Sequence, residues 1–418
     1  MKNILSVIFF AINSTFISAQ ITLSIEGTIV NNKEPGTWSG VIVPRCQPTK
    51  FAYQNNTITS INTGGYMLQA GDEGPASDNN DLDGSVITGN KFNWNGSNNP
   101  AVITHGLFTG YNKNCVVKYN YLNNAPYGIV FKSGTDDGIN MTFTSGGCAY
   151  NICKNEKYAI RIKGMNGVNV YNNTFYSGDG LGWNLLLITS NGDRVIPAPS
   201  TDSRLFNNIF YSTIQIPMID IESGCLTNFK SDYNIFWCES GKPTFVINGA
   251  TKTFCQWQAL GYDTHSIVIN PDFIDYTDFV PRVRLDYGTN LGSKWQTGLS
   301  VDAIWDGTDP EMADQNGTWQ VGARIYSSDK EIITGIPGSL AKSEPLQIIV
   351  TCNEIKIDLT DEFISWKAGL YNFEGSLVSS KILESNVTIF DISSDHSGIY
   401  FVVLSKGEKR RVAKVIKP

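Results

Sequence analysis

The pattern that most constrains this chain is an asparagine followed two positions later by an apolar residue. Successive copies are separated by 34, 30, 31, 22, 35 and 26 residues, with a short β-rich run before each and a polar turn and another short strand after it. A repeat of this length, made of short strands, predicts a parallel β-helix in which each coil stacks on the previous one. The repeated asparagines are Asn56, Asn90, Asn120, Asn151, Asn173, Asn208 and Asn234.

The recurring asparagines are expected to form a column. Stacked side-chain amides can hydrogen-bond from coil to coil and satisfy a turn with left-handed backbone. Asn120 and Asn151 should then lie within two coil spacings, about 10 Å. Unrelated turns in a β-sandwich are the alternative, but they do not explain why the apolar residue also recurs.

The N-terminus predicts export. Lys2, the apolar run Ile4–Phe10 and the small residues that end at Ala19 form the three-part pattern of a signal peptide over residues 1–19. The formal net charge of −7 and the absence of a basic tract in the central body argue against nucleic acid as a partner. The 8 cysteines have no scaffold spacing and no CxxC pair, so we expect small core residues rather than a zinc site.

Four later segments extend the pattern: Asp263–Ile267, Asn270–Ile274, Leu299–Ala303 and Trp319–Tyr326. With the repeat, they resemble the pectate-lyase-like right-handed parallel β-helix superfamily over roughly residues 21–326. The resemblance implies an all-β fold with a right-handed parallel β-helix over 20–326, and many members of the superfamily are exported and carbohydrate-active. It also implies that these segments close the C-terminal end of the helix, with His265 as a hydrogen-bonded turn residue.

A second unit follows a Gly- and Pro-containing linker at 327–345. Alternating apolar residues return in Leu370–Val378, Gly398–Val403 and Val412–Lys417. These stretches resemble the C-terminal sorting domain of the type IX secretion system of Bacteroidetes. The resemblance implies a small β-sandwich over 346–418, the type IX secretion machinery as a partner, and a secreted or outer-membrane cell-surface location.

One alignment of coils predicts a functional face. Placing Asn120 over Asn151 brings Tyr127–Lys132 over Tyr158–Lys163 without a gap, so that Lys132 and Lys163 are in register. Strand alternation then points Ile129, Phe131, Ile160 and Ile162 inward and Val130, Lys132, Arg161 and Lys163 outward. If the turn after Asn90 is three residues longer, His105 lies one coil above Lys132.

This cationic group suits an acidic polysaccharide. A lyase must neutralise a uronate carboxylate, remove the C5 proton and protonate the departing O4. Arg161 fits the first role because its fork binds a carboxylate in two places. Either Lys132 or Lys163 is the expected base, because like-charged neighbours lower a lysine pKa. The proton donor is His105 or Tyr127, and further substrate contacts are expected from Tyr111, Asp136 and Asp137.

Other interpretations stay open. A glycoside hydrolase needs two acids across the bond, and the nearest to this face are Asp136, Asp137, Glu156 and Asp179. A non-enzymatic surface carbohydrate-binding protein or adhesin is the third class, and we expect a monomer in each case. No cofactor is certain. Ca²⁺ binding is an alternative for Asp78, Asp81 and Asp83 or for Asp136 and Asp137, and sugar stacking for Trp94, Trp183 and Tyr111.

Overall fold

The computed structural model describes residues 22–31, 41–42, 50–60, 65–71, 82–96, 105–110, 112–178, 182–327, 347–350, 353–359, 361–393, 398–407 and 409–417. The predicted signal peptide and all but the first residue of the predicted linker lie outside these ranges. So do four residues singled out above, Asp78, Asp81, Tyr111 and Asp179, and two of the 8 cysteines, Cys46 and Cys352. None of the helices in the described part of the chain is long and apolar enough to cross a membrane.

The body is a parallel β-helix, as the repeat predicts. Each central coil contributes one strand to each of three parallel sheets, which we number 1 to 3. The long strand Lys50–Ser60 joins sheets 1 and 2 and also pairs with Thr22–Asn31. Sheet 1 contains Val86–Thr88, Val116–Lys118, Gly147–Ala149, Asn169–Tyr171, Arg204–Phe206 and Lys230–Asp232. Sheet 2 contains Lys91–Trp94, Tyr121–Asn123, Ile152–Lys154, Thr174–Ser177, Ile209–Ser212, Ile235–Cys238 and Ile267–Val268. Sheet 3 contains Val41–Ile42, Tyr66–Gly71, His105–Gly110, Tyr127–Lys132, Tyr158–Lys163, Asn184–Thr189, Pro217–Ile221, Thr244–Ile247 and the antiparallel Ala250–Thr253.

Two short strand pairs link the loops of neighbouring coils. Leu82–Asp83 pairs with Asn112–Lys113, and Met141–Thr142 pairs with Met165–Asn166. Both pairs are parallel, so the loops follow the stacking direction of the solenoid.

The predicted asparagine column is present at the turn between sheets 1 and 2, and we call it the asparagine ladder. Asn120 donates from its backbone N–H and from Nδ2 to Oδ1 of Asn151, at 3.0 and 3.0 Å. The same pair of bonds joins every step from Asn56 to Asn234. The residue before each ladder asparagine has positive φ, from Asn55 at 57° to Tyr233 at 57°. Backbone amides at this left-handed turn do not pair within the sheets. The side chains of the asparagine ladder form hydrogen bonds with them instead.

The apolar residue of each repeat fills the interior. The side chains two positions after the ladder asparagines are completely buried and stack along the axis: Ile58, Phe92, Leu122, Cys153, Phe175, Phe210 and Phe236. Burying each large side chain contributes about 1.5 to 3 kcal/mol, which explains why the pattern recurs. Of the cysteines described, Cys115, Cys148, Cys153, Cys225 and Cys238 are free and buried, as expected, whereas Cys255 is disulfide-bonded.

The segments expected to close the C-terminal end of the solenoid do so only in part. Asp263 continues the ladder, because it accepts from Asn234 Nδ2 at 2.8 Å. His265 is a hydrogen-bonded turn residue, with Nδ1 2.6 Å from Asp232 Oδ2. The end itself is covered by the helix Phe254–Gln258, whose Trp257 stacks on Phe245 at 4.8 Å. The sequence did not single out this helix.

Residues 269–326 instead form a strap along the side of the solenoid, which corrects the expectation for Asn270–Ile274, Leu299–Ala303 and Trp319–Tyr326. The strap contains the 3₁₀ turn Ser293–Trp295 and the strands Thr297–Ser300, Met312–Asp314 and Arg324–Ile325. Its apolar side chains form a second core with outward-facing residues of the coils, including Tyr150 and Tyr171. Tyr119 Oη also donates to the carbonyl of Thr297 at 2.7 Å. The strap runs along the side because the coils present aromatic surface there that must be covered.

The C-terminal unit is a small β-sandwich, as expected. One sheet contains Gln347–Val350, Glu354–Asp358 and Val387–Asp391, and the other contains Leu377–Ile382, Lys367–Asn372, Gly398–Lys406 and Lys409–Lys417. A separate apolar core holds the sheets together, with Ile355, Leu370, Phe390 and Val402 completely buried. Two further 3₁₀ turns lie at Ser223–Leu226 in the solenoid and Asp361–Phe363 in the sandwich.

Candidate functional site

The outward face of sheet 3 carries the predicted cationic group in the predicted register. Lys132 pairs with Lys163, Val130 with Arg161, and Tyr127 with Tyr158. The alternating residues Ile129, Phe131, Ile160 and Ile162 are completely buried in the interior. Lys132, Arg161 and Lys163 therefore share one outward face across adjacent coils, and we call them the cationic cluster.

The position of His105 differs from the prediction. His105 begins its strand and pairs with Tyr127, whereas Gly110 occupies the position next to Lys132. The predicted register placed His105 one coil above Lys132, but His105 is the first residue of its strand. His105 is therefore at the far end of the strand from Lys132.

His105 lies in an aromatic column along sheet 3. Its ring stacks between Tyr66 at 5.1 Å and Tyr127 at 4.9 Å, and Tyr158 follows Tyr127 at 5.2 Å. Burial lowers the pKa of His105 to about 3, with Arg161, Lys132 and Lys163 lowering it further against a hydrogen bond to Gly65. The imidazole is therefore neutral near pH 7, which makes His105 a poor proton donor.

Val130 also lies on the outward face but is only 2% exposed. It packs in a small outer cluster with Tyr66, Phe108 and Tyr127. The face is therefore part apolar and part cationic, with Lys132 Nζ 5.9 Å from the centre of the Phe108 ring. Apolar surroundings strengthen the electrostatic interactions of the charges beside them.

An acid that the sequence did not single out joins the two lysines. Asp193 Oδ2 lies 2.9 Å from Lys132 Nζ and 2.7 Å from Lys163 Nζ, and the lysine side chains are only 11% and 13% exposed. Hydrogen bonds from Lys163, and then from Lys132, hold the pKa of Asp193 well below its usual range. Burial is the largest cause that lowers the pKa of Lys163, with Arg161 and Lys132 adding to it and Asp193 opposing it. Like-charge crowding, the predicted cause, is thus secondary to burial.

Arg161 differs from the lysines because no described residue supplies it with an anionic partner. Among the residues that the structure describes, no carboxylate lies within ion-pair distance of its guanidinium, and its Nε is buried without a hydrogen-bond partner. Its Cζ lies 5.9 Å from the centre of the Tyr127 ring and 6.0 Å from that of Tyr158. A half-buried guanidinium of this kind favours an external anion.

Asp136 and Asp137 are exposed in the loop after Lys132. The Asp136 carbonyl accepts from the backbone N–H of Ile196 at 3.2 Å, and Asp137 accepts from Thr135 Oγ1. The Asp136 loop therefore contacts the loop that carries Asp193, at the edge of the cationic cluster.

Asn184, Asp220 and Trp183 extend this face toward the C-terminal coils. They lie outside the two coils of this chain that were aligned above. Asn184 pairs with Tyr158 in the next coil, and Asp220 lies two coils from Arg161, with Leu187 between them in the register. Asn184 Nδ2 donates to Asp220 Oδ2 at 3.2 Å. Trp183, noted above for sugar stacking, is 44% exposed and meets the Tyr158 ring edge-on at 5.4 Å.

Two of the other residues singled out from the sequence are too buried to act at this face. Glu156 is only 1% exposed and Trp94 is 1% exposed, so neither can contact a substrate there. Tyr111, Asp179, Asp78 and Asp81 lie outside the described residues, as does the side chain of Asp83. Within the described ranges, no group of three or more His, Cys, Asp or Glu side chains is arranged to hold a metal ion.

Comparison with known proteins identifies the C-terminal unit. Residues 351–418 match the family model described as the secretion system C-terminal sorting domain. A search of curated proteins finds no match to the chain, and a search of solved structures finds none either. The protein is therefore exported by type IX secretion to the cell surface or the extracellular space.

Proposed function

We propose that the solenoid binds a uronate-containing polysaccharide on the outward face of sheet 3 and cleaves it by β-elimination. The observation that carries this proposal is Arg161, a half-buried guanidinium without a carboxylate partner in the described part of the chain. Lys132 and Lys163 add positive charge beside it, and Asp193 offsets only one of the three cations. A carboxylate on the ligand supplies the missing anion.

The proposed reaction uses three groups of this chain. Arg161 binds the uronate carboxylate and stabilises the charge that develops when the C5 proton leaves. Lys163 takes that proton, and we prefer it to Lys132 because burial lowers its pKa. Tyr127, which lies beside Arg161, donates a proton to O4 as the bond to the neighbouring sugar breaks. Neutral His105 orients the Tyr127 ring by stacking.

Binding without cleavage is the second candidate function. Both lysines contact Asp193 within 2.9 Å, and the hydrogen bond to Asp193 raises the pKa of Lys163 against the effect of burial. Protonated lysines bind a polyanion well but do not remove a proton. A hydrolase is less well supported, because Glu156 is buried and the exposed Asp136 and Asp137 are adjacent on one loop rather than on opposite sides of a groove.

The test is the Arg161→Ala variant on a panel of uronate polymers. We expect the parent to release unsaturated products that absorb in the ultraviolet, and Arg161→Ala to lose on the order of 100-fold in kcat/KM, because the buried charge pair with the substrate is lost. Arg204→Ala is the matched control, since Arg204 is exposed on sheet 1. Binding without product in the parent would replace the lyase by a binding protein, and equal activity of the two variants would remove Arg161 from the site.

A further inference from the structure

We propose that the bound polysaccharide is a heteropolymer in which a neutral sugar lies about two units along the chain from the uronate held by Arg161. The inference rests on the proposed function and concerns the next part of the same face, where Asn184 and Asp220 form an acidic and amide-lined surface that we call the second subsite. Its residues are supplied by the two coils that follow Arg161 along the solenoid.

The second subsite is within reach of one polysaccharide chain. Asp220 is two coil spacings from Arg161 in the same register, which is about 10 Å. A polysaccharide that runs parallel to the solenoid axis therefore passes from the cationic cluster to Asp220 within a few sugar units. Trp183 and Tyr158 lie beside this path and offer apolar ring surface to a sugar.

The polar atoms of the second subsite are suited to hydroxyl groups. Asn184 is 5% exposed, and its Oδ1 is buried without a hydrogen-bond partner while its Nδ2 donates to Asp220. Asp220 Oδ2 accepts that bond, and its remaining lone pairs are acceptors too. A hydroxyl group can donate to Asn184 Oδ1 or to Asp220, whereas an ionised carboxylate has no proton to donate.

The charge of Asp220 also favours a neutral sugar over a second uronate. Asp220 forms no ion pair with a described cation, and desolvation is the main reason that its pKa is raised, with Glu222 adding to the shift. A second uronate at this position would bring another carboxylate to a half-buried acid that has no counter-ion among the described residues. Like charges in such surroundings repel strongly, so a homopolymer of uronate is disfavoured two coils beyond the position that Arg161 favours.

The experiment compares two probes that carry the same number of carboxylates: oligosaccharides in which two neutral hexoses separate successive glucuronates, which we call the spaced probe, and oligogalacturonates. Dissociation constants are measured for the full chain and for Asp220→Asn, which keeps the shape and an acceptor for Asn184. We expect the parent to bind the spaced probe more tightly. Asp220→Asn should improve oligogalacturonate binding about tenfold and change binding of the spaced probe less than about threefold. Asp286→Asn, on the strap, removes the same charge elsewhere and controls for overall attraction of polyanions.

The two proposals fail in different ways. Equal affinity of the parent for both probes, with no response to Asp220→Asn, overturns the heteropolymer inference and leaves Arg161 as a uronate site. Failure of both probes to bind, or binding that Arg161→Ala does not weaken, overturns the proposed function together with the inference.

Discussion

The asparagine ladder and the cationic cluster are both stacks of like residues on adjacent coils, but they differ in what a stack can supply for itself. An amide carries both donors and an acceptor, so each ladder asparagine satisfies the next one. Ammonium and guanidinium groups carry donors only. The cationic cluster therefore depends on Asp193 from a loop, and Arg161 still lacks an anion in the described part of the protein. The same stacking geometry therefore stabilises the fold when the side chains are self-complementary, and it creates a ligand site when they are not.

The largest expected effect is on the ladder. Asn151→Ala removes both bonds that Asn120 donates to Oδ1 of Asn151, the bond to the carbonyl of Val117, and one of the two bonds to Oδ1 of Asn173, and it leaves the buried backbone N–H of Asn120 without its acceptor. Because unsatisfied buried groups cost about 1 to 3 kcal/mol each, we expect a loss of about 3 to 5 kcal/mol in the free energy of unfolding, measured by urea denaturation. Asn123→Ala is the control, since this half-buried side chain of a neighbouring coil is outside the ladder. A loss below 1 kcal/mol at Asn151 would mean that the ladder contributes little to stability.

A smaller effect is expected on the pKa of Lys163. Replacing Asp193 by Asn removes the interaction that raises this pKa, so the pKa should fall. Replacing Lys132 by Ala removes a like charge and leaves Asp193 to Lys163 alone, so the pKa should rise. We expect the two pKa shifts to have opposite signs, measured by NMR of ¹³C-labelled lysine. If Lys163 is the base, the rising limb of the pH–rate profile should move with its pKa, to lower pH in Asp193→Asn and to higher pH in Lys132→Ala. Shifts of the same sign would contradict this account of the cluster.

The smallest expected effect is on stability at the cationic cluster. Lys132→Met removes a charge but leaves Asp193, which is 53% exposed, paired with Lys163. The free energy of unfolding should therefore change by less than about 1 kcal/mol, in contrast to Asn151→Ala. Urea denaturation of the two variants under identical conditions makes the comparison direct. A large loss in Lys132→Met would show that the cluster also holds the coils together.

The sequence predicted the features that repeat. The spacing of the asparagines placed Lys132 over Lys163, because the ladder and the buried residues of each coil fix the register together. Asp193 and Asp220 were missed because neither falls within the two coils whose alignment was informative. The repeat does not align the loop that carries Asp193, and the position of this loop depends on contacts with the Asp136 loop. His105 was misplaced for a related reason, since loop length between coils is not set by the repeat.

The position of the strap could also be predicted only in part from the sequence. Its segments resembled those that close a β-helix, yet they cover aromatic residues such as Tyr150 along the side. The sequence showed that these segments belong to the body. It could not show which surface they cover, because two apolar surfaces of the solenoid, its end and its side, could each accept them.

The asparagine ladder also gives the solenoid a net dipole along its axis. Every side-chain amide donates toward the C-terminal coil, so the small dipoles of successive amides add along the axis and place their positive end beyond Asn234. At that end lies the carboxyl group of Asp263, which accepts from Asn234 and also from Trp257 Nε1 at 2.7 Å. An anion at the positive end of aligned dipoles is favourable, as at the N-terminus of an α-helix. The last coil is therefore an electrostatic terminus, and a further asparagine coil inserted there would separate Asp263 from the dipoles that it neutralises.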